Sequence, residues 1–206
     1  VDVIQEEATE DIQKMAAILP TEKPYLKQSV WSIWKARIPW LLLLMVSATF
    51  TSMILSGYEE KLSMLVSGAT LYAFVPMLMD TAGNAGSQSS VTIVRALALG
   101  DVEFKDILKV VWKELRAAFF LSITVAAVCF AKILLIDKLY NDGVTVGVAA
   151  IVSLVLMATI ILAKLVGCIL PLLAKKCKLD PAVVASPFIT TIVDALSLII
   201  YCSVSI

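Results

Sequence analysis

Five apolar stretches, at about 39–56, 62–81, 116–136, 144–173 and 182–206, fill most of this 206-residue chain. A helix crosses the hydrocarbon core of a bilayer with roughly 20 mostly apolar residues, so each stretch is long enough to span. Hydrophobic residues make up 60 % of the chain and its mean hydropathy is +0.92, more apolar than an ordinary soluble domain. The expected fold class is all-α integral membrane. Five transmembrane helices over 39–206 follow a short amphipathic cytoplasmic lead-in over 1–38. The first 38 residues are polar, so they do not read as a signal peptide.

Positive charge alternates along the chain. Lys14, Lys23, Lys27, Lys35 and Arg37 precede the first stretch, and Lys61 alone follows it. Arg95, Lys105, Lys109, Lys113 and Arg116 lie between the second and third, Lys138 beyond the third, and Lys175, Lys176 and Lys178 before the fifth. Loops rich in Lys and Arg stay on the cytoplasmic side. The N-terminus is therefore expected in the cytoplasm and the C-terminus outside the plasma membrane. Net charge is zero and signals no nucleic-acid partner; the bilayer is the partner that composition implies.

The lead-in opens with "VDVIQEEATEDIQKMAAI", whose Ile4, Ala8, Ile12 and Met15 recur at helical spacing beside Glu6, Glu7, Glu10 and Asp11. Pro20 and Pro24 interrupt it. "YLKQSVWSIWKARIPW" then reads as an interfacial helix, with Trp31, Trp34 and Trp40 at the membrane surface. The second stretch runs into "PMLMDTAGNAGSQSSVTIVRALALGDV". Gly83, Asn84 and Gly86 are poor helix-interior residues. An unwound Gly/Asn-rich segment is expected there, the kind of break that lets transporters offer carbonyls and helix ends to ions; a plain cytoplasmic turn is the other reading. "FKDILKVVWKEL" reads as a further amphipathic helix on the inner surface.

The last stretch carries one charge, Asp194, near mid-membrane. An ionised carboxylate there is costly and faces protein or water, not lipid. Ser186, Thr190, Asp194, Ser197 and Tyr201 are spaced four, four, three and four residues apart, within an arc of ~80° on a helix. That is a polar stripe centred on an acid, the profile of a helix lining a polar path. The competing reading is an ion pair with Lys164, which could instead extend to the cytoplasmic surface.

The residue inventory narrows the chemistry. There is no His, which removes the usual general base and zinc ligand. The four cysteines, Cys129, Cys168, Cys177 and Cys202, have no metal-ligand spacing. An intramembrane enzyme using Asp80 and Asp194 as an acid pair is disfavoured, because Asp80 falls at the end of its stretch and Asp194 near the middle. Magnesium suits the stripe: it takes oxygen ligands in octahedral geometry, keeps several waters and binds through one or two carboxylates. Nothing in the stripe offers a ligand to a softer metal.

The leading "EEATED", then "GNAGSQS" and "LDPAVVASPFITTIVDALSLIIY", in this order around five apolar stretches, resemble the MgtE family of magnesium channels over the whole chain. The resemblance implies a homodimer with one ion path on its two-fold axis. It implies Asp194 as the pore carboxylate and a carbonyl at Thr190 as metal ligands, with Gly83, Asn84 and Gly86 lining the path; the stripe itself adds Ser186 and Ser197 to that lining. It implies cytoplasmic sensor domains upstream, and Asp180, Glu6, Glu10 and Asp11 as acids of a regulatory metal region. Lys164 takes the place of the family's span-four Asn. Mg2+ is then both the transported ion and a regulator, and the chain is no enzyme. The alternatives are an exchanger or carrier for another divalent cation and, from another class, a non-conducting structural membrane subunit.

Overall fold

The computed structural model describes residues 2–21, 24–65, 67–184 and 186–206, with side chains described for these except residues 2–8 and 186. Among the described residues the regular structure is all helical. The lead-in forms α1 (Asp2–Met15) and a 3-10 turn at Tyr25–Lys27. The rest comprises α2 (Val30–Ser63), α3 (Gly68–Ala73), α4 (Val75–Ala98), α5 (Ile107–Lys132), α6 (Lys138–Tyr140), α7 (Val146–Lys176), α8 (Pro181–Val184) and α9 (Ser186–Ser205). A π turn at Ile133–Asp137 joins α5 to α6.

Among the described residues, four helical segments are long and apolar enough to cross a membrane: Val30–Ser63, Phe104–Tyr140, Val146–Lys176 and Pro181–Ser205. Three differences from the sequence reading concern where helices begin and end. The interfacial helix is not separate. Ser29 caps α2 by accepting from the Ser32 N–H at 3.2 Å, and α2 then runs through Pro39 for 34 residues. The inner-surface helix likewise continues into α5.

The third difference is the second stretch. Residues 62–81 do not form one helix: α2 ends at Ser63, α3 is short, and α4 starts at Val75 with Pro76 in its first turn. Proline is well placed there, since its missing N–H would be unpaired anyway. From Val75 the helix is continuous for 24 residues through Gly83, Asn84 and Gly86, so the expected unwound segment is absent.

Those glycines serve close packing. A Cβ on Gly167 of α7 would collide with the Gly86 carbonyl oxygen, and one on Gly86 would lie 3.1 Å from the Ala163 carbonyl oxygen. Small residues let helix backbones meet in this way in membranes, where association relies on van der Waals contact. The helix tolerates their weak propensity because its neighbours hold it.

The centre of the bundle is α7, packed against α4, α5 and α9. Half of its most apolar window is buried within the chain, against none of that of α2. At one end Val152, Val155 and Leu156 of α7 meet Leu78, Leu198 and Tyr201. In the middle Ala163 meets Ala82, Ile189 and Val193. At the other end Cys168 and Leu172 meet Ile93, Leu97 and Val110. On α2, Leu41, Leu42, Met45, Phe50 and Met53 are exposed, a surface suited to lipid.

Candidate functional site

Asp194 stands on α9 where that helix lies against α4. A Cβ at Gly83 would sit 3.6 Å from Asp194 Oδ1 and 3.4 Å from Thr190 Cγ2. The absence of a side chain at Gly83 therefore lets both groups rest on the α4 backbone. Asp194 and Thr190 are half-buried, and Asn84, next to Gly83 in the chain, is exposed. Thr190 and Thr191 both donate their hydroxyls to the Pro187 carbonyl, at 2.9 and 3.1 Å.

Asp80 belongs to this group, contrary to the depth argument from sequence. Among the described residues, Asp80 is the charge that acts on Asp194, and it has the same sign. The depth estimate failed because α4 starts at Val75 and carries Asp80 inside its second turn. On the continuous helix, Asp80, Asn84 and Gln88 are four residues apart and all exposed. They form a polar stripe that the expected break had hidden.

The stripe on α9 divides. Thr190 and Asp194 are partly open, but Ser197 is 1 % exposed, with a hydroxyl that finds no partner among the described residues. Tyr201 is also buried and donates to the Leu71 carbonyl at 2.7 Å. The core of the chain, not an open surface, takes these two side chains. The Ser186 side chain lies outside the described residues. Gly83 and Gly86 are buried at helix contacts.

Lys164 neither pairs with Asp194 nor reaches solvent. It is 6 % exposed, donates to Ser89 Oγ at 2.9 Å and lies 3.6 Å from Glu114 Oε2. The sequence reading missed Glu114, absorbed into an amphipathic segment, and Ser89.

In the lead-in, Lys14 joins two of the expected regulatory acids. Its ammonium lies 2.6 Å from both Glu10 Oε1 and Asp180 Oδ2. These hydrogen bonds, Asp180 first, push its pKa up to about 12. Burial raises the Asp180 pKa, but the Lys14 hydrogen bond, the Ala182 N–H and the charges of Lys14 and Lys175 outweigh it and leave the carboxyl below its ordinary value. Asp11 is half-buried on α1, and the Glu6 side chain lies outside the described residues. Among the described residues no three His, Cys, Asp or Glu side chains converge as a metal site.

The described helices thus place a polar, acid-bearing face among long apolar segments. The family described as MgtE, divalent cation transporter, matches residues 75–204. The chain belongs to that family, as its motifs led us to expect. It is 36 % identical over 204 residues to a protein named magnesium transporter MgtE from Thermus thermophilus, covering 99 % of this chain and 43 % of that relative. Proteins of the same name from Bacillus subtilis and Enterococcus faecalis are 33 % and 30 % identical, over 98 % and 100 % of this chain and 42 % and 43 % of theirs. The chain thus spans less than half the length of these relatives.

Proposed function

We propose that this chain is the membrane part of a magnesium channel or transporter in which two copies enclose one ion path. The observation that carries the reading is the open face of Asp80, Asn84 and Gln88 on α4 beside Thr190 and Asp194 on α9. Lipid cannot solvate such a face, so water or a second protomer must cover it. A two-fold axis is the commonest closed symmetry, and it doubles the acids. Two Asp194 carboxylates, with Thr190 carbonyls and Asn84 amides holding waters, suit a cation that dehydrates reluctantly.

In this reading α4 is a crossing helix despite its polarity, since 24 residues reach ~36 Å. That gives five crossings in a plasma membrane, with the lead-in on the cytoplasmic side. Glu6, Glu10, Asp11 and Asp180 belong to a cytoplasmic regulatory region that works with sensor domains upstream, in keeping with the greater length of the relatives.

The test is Mg2+ flux into liposomes carrying this chain, with Asp194→Ala in parallel and cross-linking of single cysteines at Asn84, Gln88 and Val204. We expect flux in the wild type, none in Asp194→Ala, and inter-subunit cross-links at 84 and 88 but not at 204. Undiminished flux in Asp194→Ala, or a monomer in a mild lipid mimic, would sink the proposal.

A further inference from the structure

Behind the polar face of α4 lies a charged group that the cation path does not use. Lys164 of α7 donates to Ser89 Oγ of α4 at 2.9 Å, and the Ser89 hydroxyl donates to Glu114 Oε2 of α5 at 2.7 Å. Lys164 Nζ lies 3.6 Å from the same carboxylate oxygen. Three helices are thus tied at one point. The lysine side chain is 8 % exposed and the glutamate 17 %. One turn along each helix in one direction is apolar: Ile93 on α4, Val110 on α5 and Cys168 on α7 share a buried cluster. In the other direction, beside Lys164, Ala163 packs against Ala82, Ile189 and Val193.

Stability is a poor reason for such a group. Taking two charges out of water costs several kcal/mol for each ion, and well-packed apolar replacements are often neutral or stabilising. What hydrogen-bonded charges supply is direction. Apolar contact between helices tolerates rotation and sliding more readily than a hydrogen bond with a fixed donor and acceptor. Ser89 is placed to use this. At 100° per residue it lies ~180° around α4 from Asp80 and ~140° from Asn84. A turn of α4 that broke the bond at its back would swing Asp80, Asn84 and Gln88 away from Asp194 at its front.

We propose that Lys164, Ser89 and Glu114 are positioning residues that set the rotation and height of α4, and so the geometry of the polar face for a hydrated divalent cation. This rests on the cation path proposed above. The residues do not touch the ion in this account; they act through α4.

The test compares the full chain in lipid with Lys164→Met, Ser89→Ala and the double variant Lys164→Met/Glu114→Met. The single lysine change strands a buried carboxylate and is expected to fold poorly. The double variant strands no charge, leaves the buried Ser89 hydroxyl to bond its own helix backbone, and is expected to melt near the wild-type temperature. Its maximal Mg2+ flux should nevertheless fall by about tenfold or more, the scale of misplacing a functional group by an ångström. Its preference for Mg2+ over Ca2+ should narrow. Ser89→Ala should show a smaller shift in the same direction, and Lys164→Arg should retain most flux.

A readout free of flux separates this proposal from the one it rests on. A cysteine at Gln88, in a chain whose exposed Cys177 is Ser, should change its reaction rate with a small water-soluble thiol reagent several-fold in the double variant. A double variant with wild-type labelling, flux and selectivity overturns the proposal, as does one that fails to fold. Changed labelling at 88 together with wild-type flux in Asp194→Ala would uphold the positioning and remove the cation path.

Discussion

The Gly86 carbonyl oxygen lies where a Cβ on Gly167 would have to go, so α4 and α7 meet backbone to backbone. Gly83 differs: a Cβ there would make ordinary contacts with Thr190 and Asp194 Oδ1. The two glycines should therefore respond oppositely to alanine. Gly167→Ala must push the helices apart, and overpacking of this kind costs ~1–3 kcal/mol. Gly83→Ala gains up to ~1 kcal/mol of helix propensity while setting a methyl group against the Asp194 carboxylate. Thermal melting should show Gly167→Ala destabilised and Gly83→Ala not, while Mg2+ flux falls in both. A Gly83→Ala protein that melts early would mean that α4 and α9 are closer than the geometry here allows.

Asp80 lies one turn of α4 before Gly83, against which Asp194 rests, so two groups of like charge sit close together. A shared divalent cation relieves that repulsion, and affinity for such ions is tuned by the number of charged ligands. Asp194→Asn should raise the Mg2+ concentration for half-maximal flux by about tenfold or more, as loss of a carboxylate ligand does. Asp80→Asn should shift it in the same direction by less, since Asp80 is exposed and better screened by water. The ordering is the prediction. A larger effect at Asp80 would move the main ligand from α9 to α4.

Much of the helical framework could be read from hydropathy, because apolar length is a one-dimensional signal. The ends of the helices could not. The interfacial segment looked separate from the first span, yet α2 runs through Pro39 without a break. Gly83 and Gly86 looked like a break, yet their reason is a contact with α7 and α9 that no local pattern records. Reading a break there also hid the spacing of Asp80, Asn84 and Gln88. Asp194 stood out in the sequence because a lone acid in an apolar stretch has few explanations, and the fold sets it with Thr190 against Gly83. Glu114 was not, because an acid in an amphipathic segment reads as solvated until Lys164 and Ser89 are placed beside it. The division of α9 between core and open face followed from packing against α2, α4 and α7, and the pattern of hydroxyls does not reveal it.

The contact between α1 and the loop before α9 should hold over a defined pH window. The Asp180 pKa is depressed, so its contribution is present above the ordinary carboxylate range, ~4, and fades as pH falls through its lower folded value. The Lys14 pKa is raised, so its contribution is present below its ordinary 10.5 and fades as pH rises through about 12. Docking should be flat from mildly acidic to moderately alkaline pH and lost beyond both limits. Asp180 and Glu10 are partly exposed, so salt should weaken it as well. Spin-label distances between α1 and α8 across pH and salt provide the check. Loss of docking near neutral pH would mean that another group holds α1.

Lys14 also bears on the proposed control by magnesium. Its ammonium already sits between Glu10 and Asp180, so a cation arriving at those acids must displace it. A ligand shifts a conformational equilibrium only by its differential affinity for the two states. With lysine supplying the positive charge, magnesium gains little from bringing α1 and the Asp180 loop together, and flux through this chain should respond weakly to magnesium on the lead-in side. Lys14→Met removes the competitor and leaves two acids to repel one another until a cation screens them. That variant should release α1 at low magnesium and recover docking as magnesium rises, giving a steeper flux response than the wild type. Asp180→Asn on the same background should flatten it again. Flux and α1–α8 distances measured over one magnesium series decide the matter. A steep response in the wild type that Lys14→Met leaves unchanged would place magnesium sensing on residues other than Glu10 and Asp180.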